Sequence, residues 1–200
     1  MPGIPRLSLA EWAVLGVLDE GPTHGFAIAA LTAAGGDLGR VWQIPRPVVY
    51  RSLARLAEAG LVSADGVEPG HGPQRTRYVI TGTGSAAVRE WLATPVQHVR
   101  DVRSHLLVKL ALIHRRGDDT QALLERQRGT LEPIAAAMAE EDPGTGGFDA
   151  MLLAWRRATV AATMGFLDEM THPRPRRATA PVRAGGASAP RSARSAGRTG

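Results

Sequence analysis

The sequence predicts a mainly α-helical chain with one small β-hairpin, a compact N-terminal unit preceding a helical C-terminal one. Three observations predict it. Apolar residues recur at spacings of three and four through most of residues 9–171. Only the stretch around 61–80 breaks that rhythm, with two short extended runs flanking a Pro/Gly-rich tip. Aromatics make up 4% of the chain against 44% hydrophobic residues, so its core must be built from Leu, Val, Ile and Ala, which favours helices.

The first helix is expected from Ser8, because Ser8 and Glu11 have the spacing of a capping box. Leu9, Trp12, Ala13, Leu15, Val17 and Leu18 follow as a buried run, and Gly21-Pro22 stops it. Thr23 is expected to cap a second helix from His24 to about Ala34, with Phe26, Ile28 and Leu31 as its bulky apolar residues and Gly35-Gly36 as its end. Pro45 and Pro47 open a third helix that runs to Gly60. On it Val49, Leu53 and Leu56 form the apolar face, while Arg51, Arg55 and Glu58 point away. Leu61-Val62 begins one strand, and the Gly66 to Gly72 stretch supplies the turn. Thr76, Tyr78 and Ile80 alternate with Arg75, Arg77 and Val79 in a second strand. Thr81 then caps a helix through Val88 to Leu92.

Three helices followed by a hairpin is the order of a winged helix-turn-helix, in which the third helix enters a DNA major groove and the hairpin lies beside it. The chain also resembles the PadR family of bacterial transcriptional regulators. The likeness rests on Ala13-Val14-Leu15-Gly16-Val17-Leu18, Gly21-Pro22-Thr23-His24-Gly25-Phe26-Ala27-Ile28 and Val49-Tyr50-Arg51-Ser52-Leu53-Ala54-Arg55-Leu56. It continues through Ala59-Gly60-Leu61-Val62, the run from Gly72 to Thr81, and Glu90-Trp91-Leu92. Phe26 stands where such proteins often have Tyr, and Gly82 where an acid often follows the capping residue. The resemblance implies a dimeric regulator, more often repressor than activator, modulated by a small-molecule effector between domains or at the dimer interface.

The DNA chemistry can be assigned residue by residue. Arg51 and Arg55 suit base edges, with Arg46 one turn before Tyr50. Pro47 and Val48 are expected near thymine methyls, and Tyr50 and Ser52 near phosphate oxygens. Arg75 and Arg77, on one side of the wing strand, are expected to reach the flanking backbone or minor groove. A winged-helix module that binds another protein instead of DNA is the alternative on the same residues.

Residues 1–93 are thus expected to form the DNA-binding domain, 94–171 a helical dimerisation domain, and 172–200 a disordered tail. In the second unit Val102, Leu106, Leu110 and Ile113 recur at helical spacing, as do Leu124, Gln127, Leu131, Ile134 and Met138. Phe148, Leu152, Trp155, Thr159, Ala162 and Phe166 form a third seam, with Asp142-Pro143-Gly144 breaking the helix before it. The expected dimer contacts are Leu106, Leu110, Leu152, Trp155, Thr159, Ala162 and Phe166. A twofold protein reads two half-sites, so the operator is expected to be an inverted repeat.

Charge divides along the chain. The net charge of +5 comes from the tail, where 173–200 hold seven Arg and no acid; the remainder has seventeen basic and nineteen acidic side chains, a net of −2. Basic character in the folded part must therefore be local, while the tail either adds nonspecific phosphate contacts or is unselected low-complexity sequence. With no cysteine, disulfides and thiolate metal sites are excluded. Asp101 with His105, His114 and Asp118-Asp119 read as solvated helix faces, so no metal is expected. No phosphate loop, zinc-protease motif or nucleophile elbow occurs, and neither enzymatic activity nor a cofactor is expected. Without an apolar run long enough to span a membrane, the expected location is the cytoplasm.

Overall fold

The Ser8 capping box forms and opens α1 (Leu9–Leu18). The Ser8 Oγ accepts from the Glu11 N–H, and the Glu11 carboxylate accepts from the Ser8 N–H at 2.6 Å. A computed structural model describes residues 5–68, 75–142 and 146–172. After α1 the chain departs from expectation. Thr23 and His24 form a short strand, β1 (Thr23–His24), and His24 rather than Thr23 caps the next helix, its Nδ1 accepting from the Ala27 N–H at 3.0 Å. That helix, α2 (Gly25–Thr32), is therefore shorter at both ends than its composition suggests. Its last residue, Thr32, is buried and exchanges backbone and side-chain hydrogen bonds with Ile44, which pins the intervening loop against the core.

The third helix, α3 (Arg46–Glu58), starts where Pro47 lacks only an amide that no helical partner would accept from. The hairpin comes next as β2 (Val62–Glu68) and β3 (Arg75–Ile80); its expected tip, 69–74, lies outside the described residues. β3 is central in a three-stranded antiparallel sheet, flanked by β2 and by β1. Thr81 caps α4 (Gly82–Ala93), accepting from the Gly84 N–H while its hydroxyl donates to the Gly60 carbonyl at 2.9 Å. The wing is thereby tied to the end of α3.

After α4 the chain makes a short 3-10 turn over Val99–Asp101 and a π-helical turn over Val102–Leu106, then enters α5 (Leu107–Arg115). Two long helices follow among the described residues, α6 (Gln121–Glu140) and α7 (Gly147–Thr171), antiparallel partners in a hairpin. The Asp142-Pro143-Gly144 break falls largely outside the described residues, as does the tail from residue 173. Among the described residues, no helix is long and apolar enough to cross a membrane.

One core runs through both halves. It includes Val14, Leu18, Ile28, Leu53 and Leu56 from the first half and continues through Leu106, Leu112, Leu124, Leu131 and Leu167. At the junction Trp12 of α1 stacks on Trp91 of α4, ring centroids 5.0 Å apart, and the Lys109 ammonium lies 4.9 Å from the Trp91 ring. Lys109 is buried, and desolvation pushes its pKa down to about 8. It is still protonated at neutral pH and donates to the Thr94 carbonyl. Gln127 adds a two-point clasp, accepting from the Val96 N–H at 2.7 Å and donating to the Val96 carbonyl at 2.9 Å.

Candidate nucleic-acid interface

Two elements build the surface opposite the core: α3 and the adjoining wing strand β3. They meet over the start of α2, where close approach is possible because Gly25 has no side chain. A Cβ there would lie 2.8 Å from the Tyr50 ring. The junction leaves a cleft of about 450 Å³, bordered by His24, Phe26, Arg46, Tyr50, Arg75 and Tyr78. Among its described lining residues there is no Asp or Glu. Its local charge is therefore positive, although the folded part of the chain as a whole is slightly acidic.

The expected DNA-contacting residues divide into three groups. Arg46, Pro47, Tyr50 and Arg51 are exposed on α3, and Arg75 is exposed on β3. Val48 is half-buried and leans on the core. Arg77 is also half-buried, 3.7 Å from the Asp65 carboxylate across the hairpin. Ser52 requires correction. It is only 4% exposed, on the flank of α3 that packs toward α1, so its hydroxyl is not presented to a phosphate.

Arg55 shares that flank one turn later. Its side chain is exposed, but its guanidinium lies 3.1 Å from Glu11, whose carboxylate is 3% exposed. The same carboxylate closes the capping box of α1. Glu11 therefore fixes the orientation of α3 against α1 and holds Arg55 to the protein, an anchoring role beyond the base contact expected of Arg55. The sequence shows Glu11 as a capping residue, but nothing in its spacing identifies a partner forty-four positions away.

Phe26, by its sequence one of the bulky apolar residues of α2, is 45% exposed, between the arginines of α3 and the wing. Arg46 lies 5.4 Å and Arg75 4.7 Å from its ring centroid, and Arg46 is also 5.6 Å from the Tyr50 ring. The only hint in the sequence is that Phe26 occupies a position where similar proteins often carry Tyr.

The expected dimer contacts also require correction in part. Leu106 is fully buried within the protomer, and Leu110 is half-buried against the same core, so Leu106 cannot touch a second copy. On α7, Leu153, Val160 and Leu167 are the buried seam. Leu152, Thr159 and Phe166 flank it half-buried, while Trp155 and Ala162 are exposed. Among the described residues no group of three or more His, Asp or Glu side chains is arranged to hold a metal.

Residues 14–90 match the family described as Transcriptional regulator PadR-like. The negative transcriptional regulator PadR of Bacillus subtilis is 22% identical over 107 residues, and the match spans 54% of this chain and 58% of the relative's own length. Bacillus subtilis PadR solved with operator DNA is 17% identical, with a TM-score of 0.42 over 80% of this chain and 97% of that one. The smu.1604c protein of Streptococcus mutans is 15% identical, with a TM-score of 0.39 over 80% and 96%. The matched segment extends from within α1 to within α4, taking in the helices and the wing described above, and over that segment this chain is similar to the PadR-like family of transcriptional regulators.

Proposed function

We propose that this chain is a homodimeric repressor that binds an inverted-repeat operator in the cytoplasm, with α3 in the major groove and the wing on the flanking backbone. The observation that carries this reading is the exposure of Arg46, Pro47, Tyr50, Arg51 and Arg75 on one surface around a cleft without carboxylates among its described lining residues. Dense phosphate charge favours such a surface, and Arg51 on the outward side of α3 suits base edges. Repression takes its support from the name of the Bacillus subtilis relative.

In this reading 1–93 contact DNA, 94–171 dimerise, and the tail of 172–200 is a separate segment. The division is one of role, since the core is continuous across residue 93. Dimerisation is supported by Phe148, Met151 and Trp155, three large apolar side chains exposed along α7. A small-molecule effector regulates this dimer by binding its DNA-competent and DNA-incompetent forms with different affinities.

The test is binding of the full chain to the duplex upstream of its own gene, against an unrelated duplex, at about 150 mM salt. Preferential binding is expected, and Arg51→Ala is expected to lower operator affinity by roughly tenfold and relax that preference. Equal affinity for both duplexes, or an unchanged preference in the variant, would overturn the base-reading role. Failure to bind any duplex would favour a protein-binding module.

A further inference from the structure

Phe26 draws together two cations from different elements. Arg46 comes from the first turn of α3 and Arg75 from the start of β3, and both guanidiniums lie against its ring. The negative face of an aromatic ring attracts each cation, but two like charges at one ring still repel. A bound anion removes that repulsion. The cleft they border has no described carboxylate in its lining to neutralise them, while Tyr50, Thr76 and Tyr78 supply hydroxyls there. Its position, between the proposed groove-entering helix and the wing, is where a DNA strand would leave the groove.

We propose that Phe26 is the platform of a two-arginine clamp that grips the sugar-phosphate backbone of one DNA strand and couples α3 to the wing. This deepens the proposed DNA-binding function and rests on it. Arg46 and Arg75 make the phosphate contacts, and Phe26 is a positioning residue that orders both before DNA arrives. Long arginine side chains lose rotamer freedom on binding; a ring that already confines them reduces that loss. The clamp is indifferent to base sequence. It therefore strengthens operator and non-operator binding alike, unlike Arg51.

The test is a double-mutant cycle in the full chain, using the duplex it selects most tightly from a random library and a second, unselected duplex. Phe26→Leu is expected to weaken binding to both duplexes by about three- to tenfold, with Phe26→Tyr close to wild type because the ring is retained. Arg75→Ala is expected to cost about tenfold in the wild-type background but about threefold or less beside Phe26→Leu, and Arg46→Ala is expected to behave likewise. Each arginine removed should lower the slope of log affinity against log salt by about one, and by less when Phe26 is already Leu. Phe26 is exposed enough for thermal melting to remain unchanged, and Phe26→Met keeps most of the volume without the ring if Leu perturbs folding.

Costs that simply multiply, or a Phe26→Leu protein that binds both duplexes as wild type does, would overturn the clamp while leaving the DNA-binding function standing. If the wild-type chain selects no duplex, that function fails and the clamp with it.

Discussion

At the scale of single residues, Glu11 has the most consequences per atom. One buried carboxylate accepts from Ser8 at the start of α1 and pairs with Arg55 of α3. A buried carboxylate is costly unless its oxygens are satisfied, and here the cap and the arginine share that task. Glu11→Gln is expected to destabilise the fold by about 1–2 kcal/mol, because the amide loses the charge while keeping only part of the cap. Arg55→Ala is expected to cost less, under about 1 kcal/mol, since the arginine is half in water. Urea midpoints for both variants check this, and equal losses would mean that the cap contributes nothing. Residues differ in how far their sequence neighbours reveal their roles. Ser8 and Glu11 announce their own hydrogen bonds through a spacing of three. The burial of Ser52 is also legible: it follows Val49 by three and precedes Leu56 by four, so the helical wheel already puts it beside the core. The setting of Phe26 is not, because exposure of an aromatic on α2 depends on where α3 and the wing settle.

Elements are legible where local chemistry ends them and obscure where distant contacts do. The Thr81 cap and the Pro47 helix start are local signals, and both elements begin where those signals stand. β1 has only two residues and exists because β3 offers Thr23 and His24 a free edge, which no local pattern reveals. The π-helical turn over Val102–Leu106 has a larger effect: it shifts the helical phase of α5, so that Lys109 is buried and Leu110 half-exposed. The buried lysine then reaches the Thr94 carbonyl beside the Gln127 clasp on Val96. Arg126 adds a bond to the Ala93 carbonyl, 3.1 Å long. Three side chains from α5 and α6 therefore hold the segment leaving α4, which positions the first half of the chain on the helical second half. Gln127→Leu keeps comparable bulk but leaves the Val96 N–H and carbonyl without these partners. It is expected to lose about 2–4 kcal/mol, read from urea unfolding. A loss under about 0.5 kcal/mol would mean that water replaces the clasp.

For the whole molecule, the decisive feature is that α7 has two apolar faces, of which the described residues of the protomer cover one. Leu153, Val160 and Leu167 are its buried seam, seven residues apart. On the other side Phe148, Met151, Trp155, Ala158, Ala162 and Gly165 alternate three and four along the helix, and all six are exposed. A heptad stripe of this kind is what a second helix packs against, and its small residues permit close approach at the C-terminal end. The sequence seam expected for this helix contains Phe148, Trp155 and Ala162 but mixes them with the half-buried flank of Leu152, Thr159 and Phe166. Periodicity alone cannot separate two faces of an amphipathic helix when both are apolar. If the uncovered stripe joins two copies, Trp155 is its central large side chain, and its exposure makes Trp155→Glu harmless to the isolated protomer. The variant is expected to raise the dimer dissociation constant by at least about thirtyfold, the scale of an interfacial hot spot, with its helical circular dichroism unchanged. Operator affinity should fall with it and recover at protein concentrations high enough to restore the dimer, because each protomer contributes one half-site. Light scattering across a dilution series measures the first effect and duplex titration the second. An intact dimer in Trp155→Glu would place the subunit contact elsewhere, whereas a dissociated protein that still binds the full operator at wild-type affinity would remove the need for a dimer altogether.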